Sequence, residues 1–247
     1  MKLATLIIAL TLAGTALAQT PTGTVDLLWQ ANTYTPPWYR GHSLPTAGSV
    51  VKVVALPHIK VGGGLPAQAG EASARDLIFR WQKDGRDVPS VSGAGQDTLS
   101  YIVDSGGNTI AVAVLNRTGT LLAARRLTLL ASEPKVVLYE EDPLAGTAYW
   151  QAVATTTLLA EPELTVRAEP YFFTRAAVEA GRLNYEWKLN GKKIITDAAN
   201  TQLLTFAAPA EGGGENTIEL AVSNLANALQ SAKTKLLLKF NQQNFSF

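Results

Sequence analysis

The sequence predicts an all-β protein: two antiparallel β-sandwiches in tandem, placed after an N-terminal export signal. Three observations carry this. The chain has 247 residues, which suits two domains of ordinary size better than one. Its strand-like runs are short, rich in Val, Ile, Thr and Leu, and bounded by Gly, Asn, Asp and Pro. The sequence also reads twice, with matched segments roughly 110 residues apart.

Residues 1–18 read as the signal. Lys2 supplies the positive start, Leu3 to Gly14 is apolar and uncharged, and Ala16-Leu17-Ala18 is the small-x-small pattern of a cleavage site. The apolar run is shorter than the roughly 20 residues of a spanning helix. No Cys follows it for lipid attachment, and no later stretch is apolar enough to span as a helix. The expectation is a mature chain from Gln19, secreted or held in a bacterial cell envelope, without a membrane span.

The two copies are expected at 24–131 and 133–240, joined by Ser132-Glu133-Pro134 and followed by a tail at 241–247. Each copy opens on a strand: Leu27-Leu28-Trp29 matches Val137-Leu138-Tyr139. A second strand follows, Val50 to Pro57 against Leu164 to Pro170. Next comes aromatic-x-Trp-x-x-Asp/Asn-Gly, with Trp81 before Asp84-Gly85 and Trp187 before Asn190-Gly191. Asp-Gly and Asn-Gly are strong hairpin signals, because both central residues of such a turn take positive φ. Asn108-Thr109-Ile110 to Asn116 then matches Asn216-Thr217-Ile218 to Asn224, with the alternation of a half-buried strand. Ser105-Gly106-Gly107 and Gly212-Gly213-Gly214 precede these strands as turns; no Gly-Lys-Ser/Thr follows to make a phosphate loop. Ala176 to Ala180 reads as one helical turn. Val61 to Arg75, rich in Gly, Ala and Pro, reads as an insertion.

Composition narrows the function classes. Hydrophobic residues make up 47% and charged residues 17%, a globular balance. Lys plus Arg numbers 21 against 20 acidic residues, for a formal charge of +1, so no basic field points to nucleic acid. There is no Cys, hence no disulfide and no thiolate chemistry, and two His, His42 and His58, stand apart from any carboxylate pattern. Neither Gly-x-Ser-x-Gly nor His-Glu-x-x-His occurs. The expectation is a protein that is not an enzyme and carries no cofactor.

Four aromatic residues stand out as candidate binding residues: Trp29, Tyr34, Trp38 and Tyr39, gathered around Pro36-Pro37. Exposed, they would dock a protein partner or stack on a sugar ring; covered, they would close the end of a sandwich. Glu140, Glu141 and Asp142 are weak Ca²⁺ candidates near the junction of the copies, short of the six or more oxygens such a site takes. Trp81 and Trp187 read as structural core, because a stacking platform need not recur at one place in both copies. The tail, with Phe245 and Phe247, is a frayed end or a strand offered to a neighbour.

The Trp81 and Trp187 motifs, with the Val112-Ala113-Val114-Leu115-Asn116 and Val222-Ser223-Asn224 strands and the strands after them, resemble immunoglobulin-like and PKD-like extracellular β-sandwiches. The resemblance covers the second half of each copy and lacks the bridging cysteines of antibody domains. It implies sheets held by apolar packing. The opening Leu28-Trp29-Gln30-Ala31-Asn32-Thr33-Tyr34-Thr35-Pro36-Pro37, followed by two such units, is similar to secreted envelope proteins of candidate-phylum (Patescibacteria-type) bacteria. That likeness implies an envelope setting near surface or pilus-assembly machinery and assigns no site residues. The functional expectation is a structural or adhesive protein working through protein–protein contacts at the cell surface; the alternative is a non-catalytic carbohydrate-binding module.

Overall fold

The computed structural model describes residues 23–61, 70–159, 162–196, 200–207 and 213–240. The expected signal at 1–18, the expected tail at 241–247 and the middle of the Val61–Arg75 segment lie outside the described residues.

The N-terminal half runs β1 (Thr24–Ala31), β2 (Val50–His58), β3 (Lys60–Val61), β4 (Gly70–Glu71), β5 (Ile78–Lys83), β6 (Arg86–Asp87), β7 (Gly93–Ala94), β8 (Thr98–Ile102), β9 (Asn108–Leu115) and β10 (Leu121–Leu129). The C-terminal half runs β11 (Lys135–Asp142), β12 (Gly146–Ala152), β13 (Thr156–Leu159), β14 (Glu163–Tyr171), α1 (Arg175–Glu179), β15 (Leu183–Leu189), β16 (Lys192–Lys193), β17 (Leu203–Ala207), β18 (Gly214–Asn224) and β19 (Ser231–Phe240).

In the first half a β1-β2-β8 sheet faces a β10-β9-β5-β6 sheet. Remove β12 and β13 from the second half and the same order returns: β11-β14-β17 against β19-β18-β15-β16. Three strands facing four, with a buried Trp on the strand that follows the crossover between sheets, is the immunoglobulin-like and fibronectin-like sandwich arrangement.

Each core comes from strict alternation. β9 buries Asn108, Ile110, Val112 and Val114 and leaves the residues between them half-buried. These meet Val51, Val53 and Ala55 of β2 and Phe79 and Trp81 of β5, all essentially without solvent contact. In the second half Leu164, Val166 and Ala168 of β14 face Trp187 of β15, Ile218, Leu220 and Val222 of β18, and Leu236 and Leu238 of β19. Each Trp indole finds a carbonyl: Trp81 Nε1 donates to Gln96 O at 2.8 Å and Trp187 Nε1 to Thr201 O at 2.9 Å. This satisfies the one polar atom each ring buries.

The two sequence motifs that recur together are contact partners. Asp84 and Gly85 take φ of 52° and 76°, Asn190 and Gly191 49° and 79°, the positive values the hairpin turns require. The turn residue then clasps the start of the next repeated strand. Asp84 Oδ1 accepts from Thr109 N at 2.8 Å, and Asp84 Oδ2 accepts from Asn108 Nδ2 at 2.8 Å. In the second half Asn190 Oδ1 accepts from Thr217 N at 2.8 Å, and Asn190 Nδ2 donates to Asn216 Oδ1 at 2.8 Å.

One pairing differs from the expected antiparallel pattern. β13 runs parallel to β19, with Thr156 opposite Leu237 and Leu159 opposite Phe240. After β12 the chain crosses from one sheet to the other and meets the β19 edge travelling the same way. This covers an edge that would otherwise present unpaired backbone groups. The expected helical turn is α1. The strands that follow the two repeated Asn-Thr-Ile strands are β10 and β19, beginning at Leu121 and Ser231.

Candidate functional site

The segment from Asn32 to Ser49, which joins β1 to β2, leaves the first sandwich and lies against the second. Its backbone enters the seam as a short β-contact. Tyr34 N donates to Phe173 O and Phe172 N donates to Tyr34 O, each at 2.7 Å. Thr33 and Thr174 form an antiparallel bridge, Thr46 and Ser132 a parallel one. Ser132 N donates to Pro45 O at 2.7 Å, so the connection between the halves is itself tied down.

Gln230 is the centre of this seam. It sits in the β18–β19 turn with no solvent exposure. Its Oε1 accepts from Thr174 N (3.0 Å), Thr174 Oγ1 (3.0 Å) and Asn224 Nδ2 (2.8 Å). Its Nε2 donates to Thr46 Oγ1 (2.9 Å) and Ala47 O (3.1 Å). Thr46 Oγ1 in turn donates to Phe172 O at 2.9 Å, and Asn227 Nδ2 donates to Ala47 O at 2.9 Å. Buried polar groups in so dry a place are costly unless paired, and this set is fully paired. The Thr46-Ala47-Gly48-Ser49 turn has Gly48 at φ 77°, and a Cβ there would run into the Asn227 amide. Phe172 also holds a positive φ, 63°. For a bulky side chain this costs energy and persists only where the surroundings fix it; here the Tyr34 and Thr46 hydrogen bonds do so.

The outer face of the β11–β14 sheet carries the side chains this segment covers. Trp38 stacks on Tyr149 with the rings 23° apart. Tyr39 sets its ring edge-on to Tyr171 and Phe172, centroids 5.6 and 5.8 Å away. Tyr139 and Tyr171 share a hydroxyl hydrogen bond of 2.7 Å. Burial raises the hydroxyl pKa of Tyr34, Tyr149 and Tyr171, so these phenols stay neutral. Glu169 is 6% exposed beneath them. Burial pushes its carboxyl above the usual range, against the opposing pull of Arg167 and a long Tyr149 hydroxyl contact of 3.4 Å.

The four aromatic residues expected to bind are thus divided. Tyr34, Trp38 and Tyr39 are half-buried in the seam, while Trp29 packs on the first core with its ring 6.4 Å from His42. They form no common exposed platform. Two of the three residues of the acidic run are also otherwise engaged. Glu141 makes a two-pronged pair with Arg167, at 2.9 and 3.0 Å, and accepts from Thr147. The Arg167 hydrogen bond holds the Glu141 carboxyl below its usual range. Asp142 Oδ1 caps a turn by accepting from Leu144 N and Ala145 N, and Glu140 is exposed. Among the described residues no three His, Asp or Glu side chains converge as metal ligands. Asp26 pairs with His58, and Asp104 with Lys83. An open cleft of about 820 Å³ flanks the connection between the halves, lined by Ala47, Glu133, Lys135, Leu229 and Lys233 among others.

Sequence reading missed Gln230, Thr46 and Thr174, single polar residues with no motif around them. It also passed over Trp150, which projects from β12 and is 82% exposed. An aromatic pair Tyr149-Trp150 on a strand edge with no counterpart in the first copy was the available signal.

No family model and no curated protein sequence matches the chain. Among solved structures it is similar to the fibronectin(III)-like modules of Clostridium thermocellum CbhA, at 10% identity and a TM-score of 0.27, over 89% of this chain and 97% of that one. It is similar to the N-terminal Ig1-2 module of the Drosophila receptor protein tyrosine phosphatase DLAR, at 10% identity and a TM-score of 0.25, over 88% of this chain and 99% of that one. It is also similar to Bacteroides ovatus SGBP-B in complex with a mixed-linkage heptasaccharide, at 11% identity and a TM-score of 0.25, over 86% of this chain and 47% of that one. The strand order of the chain itself makes each half an immunoglobulin-type sandwich.

Proposed function

We propose that this is a secreted structural or adhesive protein of a bacterial cell envelope, acting through protein–protein contacts within a surface or pilus-associated assembly. It consists of a signal at 1–18, sandwich domains at 24–131 and 133–240, and a short tail at 241–247. The observation that carries the reading is the seam. A 0%-exposed Gln230 and a segment of the first half laid on the second hold two rigid sandwiches in one fixed relation. A chain that spaces or presents surfaces needs that fixed relation, since two sandwiches joined only by a short linker would move independently.

The split of the aromatic residues weighs against the carbohydrate-binding reading at Trp29, Trp38 and Tyr39, because Trp38 and Tyr39 are committed to the seam and Trp29 packs apart from them on the first core. The test is crosslinking on intact producing cells, followed by pull-down of the tagged chain. The expected result is recovery in covalent complexes with envelope proteins. Recovery solely as free chain in the medium would overturn the reading.

A further inference from the structure

The two faces of β12 have different fates. Tyr149 points to the seam and is stacked under Trp38. Trp150, its neighbour, points the other way and is 82% exposed. A single exposed apolar side chain is ordinary, and Leu144 and Ile195 are as exposed; what sets Trp150 apart is the depression it lines.

It borders a groove. At the open side of the second sandwich, where the chain passes from β12 to β13, a depression of about 380 Å³ opens between the sheets. Val153 and Leu164 are among its apolar lining, and Glu140, Gln151 and Thr156 among its polar lining. Neither the Glu140 carboxylate nor the Gln151 amide has a side-chain partner among the described residues. In contrast, the neighbouring Glu141 is fully engaged by Arg167.

We infer that this groove is a glycan-binding site, with Trp150 as the stacking platform for a neutral pyranose. The argument is one of chemical match. A pyranose presents a flat C–H face and a rim of hydroxyls; the groove presents one aromatic face with a carboxylate, an amide and a hydroxyl beside it, able to accept and donate around a stacked ring. The unpaired Glu140 carboxylate disfavours acidic sugars. A proline-rich peptide suits the groove less well, because such ligands dock on grooves lined with several aromatics, and the other aromatic of β12 is committed to the opposite face.

This site is independent of the envelope reading, since the purified chain suffices to test it. The assay follows the indole N–H resonances of the mature protein during titration with cellohexaose, laminarihexaose and chitohexaose, and separately with hexaproline. Trp150→Phe assigns the Trp150 signal. The expected result is a saturable shift of that signal with at least one glycan, with a Kd on the order of 1 mM. Trp150→Ala removes the reporter indole, so its binding is read from the backbone amide shifts of the groove residues; at this exposed position it should keep the native spectrum elsewhere and weaken binding by roughly tenfold or more, and Gln151→Ala should weaken it by a smaller factor. Three results would overturn the inference: no glycan shifting the signal at about 10 mM, binding that survives Trp150→Ala, or a shift with hexaproline alone.

Discussion

Replacing Gln230 by Ala removes the group that both halves share. The carboxamide makes five hydrogen bonds. Not all are lost at full value. Ala47 O keeps Asn227 Nδ2, Thr46 Oγ1 keeps Phe172 O, and the Thr174 hydroxyl can turn. The real damage is two donors, the buried Asn224 Nδ2 and the half-buried Thr174 N, left facing an apolar methyl. Each orphaned donor costs about 1–3 kcal/mol, and a water entering the space recovers part of this. The net expectation is about 2–5 kcal/mol, a large share of a typical folding free energy. The cost falls on the seam, so the unfolding should also change character. Urea titration read by Trp fluorescence should show one transition for the parent. The variant should show two, because each core holds its own Trp. A single transition displaced by less than about 1 kcal/mol would refute the claim that the halves are coupled through this side chain.

Three further outcomes follow from the same structure. Trp81→Ala and Trp187→Ala should each cost about 3–5 kcal/mol, and the Phe variants less, through lost volume and the lost indole hydrogen bond, measured by thermal unfolding. Gly48→Ala and Gly85→Ala separate two effects: both positions have nearly the same φ, 77° and 76°, but only at Gly48 would the new Cβ strike a side chain, that of Asn227. Gly85→Ala should cost about 1 kcal/mol from backbone strain alone, and Gly48→Ala clearly more, seen as a larger fall in Tm. Glu169→Gln should stabilise the protein near neutral pH. The folded chain raises this carboxyl above its ordinary value of 4.5, chiefly by burial. The folded state therefore binds the proton more tightly than the unfolded one, and stability falls as pH rises from the unfolded value through the folded one. Urea midpoints of parent and variant should converge at about pH 4 and separate in the variant's favour at about pH 7.

The parts of the fold legible in the sequence are those fixed by short-range rules. Alternation in Thr109 to Val114 marks one buried face, and Asp84-Gly85 and Asn190-Gly191 name their turns because few residues accept positive φ. The repeat was visible because Asp84 with Asn108-Thr109, and Asn190 with Asn216-Thr217, are physical partners, so each pair recurs as a unit. The seam is different. Gln230 reaches Thr46 across 184 positions, and no local pattern distinguishes a Gln that joins two sandwiches from one on a solvated turn. The aromatic cluster near Pro36-Pro37 was visible as a cluster, but its partners Tyr149 and Tyr171 lie in the other half, so its covering could not be read from its own neighbourhood.

The same separation explains why the exposed aromatic residue escaped notice. In the first half the β1–β2 connection carries Trp38 and Tyr39 forward onto the next sandwich. In the second half the connection from β11 to β14 folds back, lending β12 to its own sheet and β13 to the opposite one, and so leaves Trp150 at a sheet edge without a cover. Trp150 belongs to an edge strand that pairs only with β11, so one side of β12 stays open to solvent. If the exposure served only to cap the sandwich, Trp150→Ala would lower stability by an amount set by the little area it buries, well below the loss expected at Trp81. A loss comparable to Trp81→Ala in thermal unfolding would instead make Trp150 a packing residue and remove the reason for assigning it a ligand.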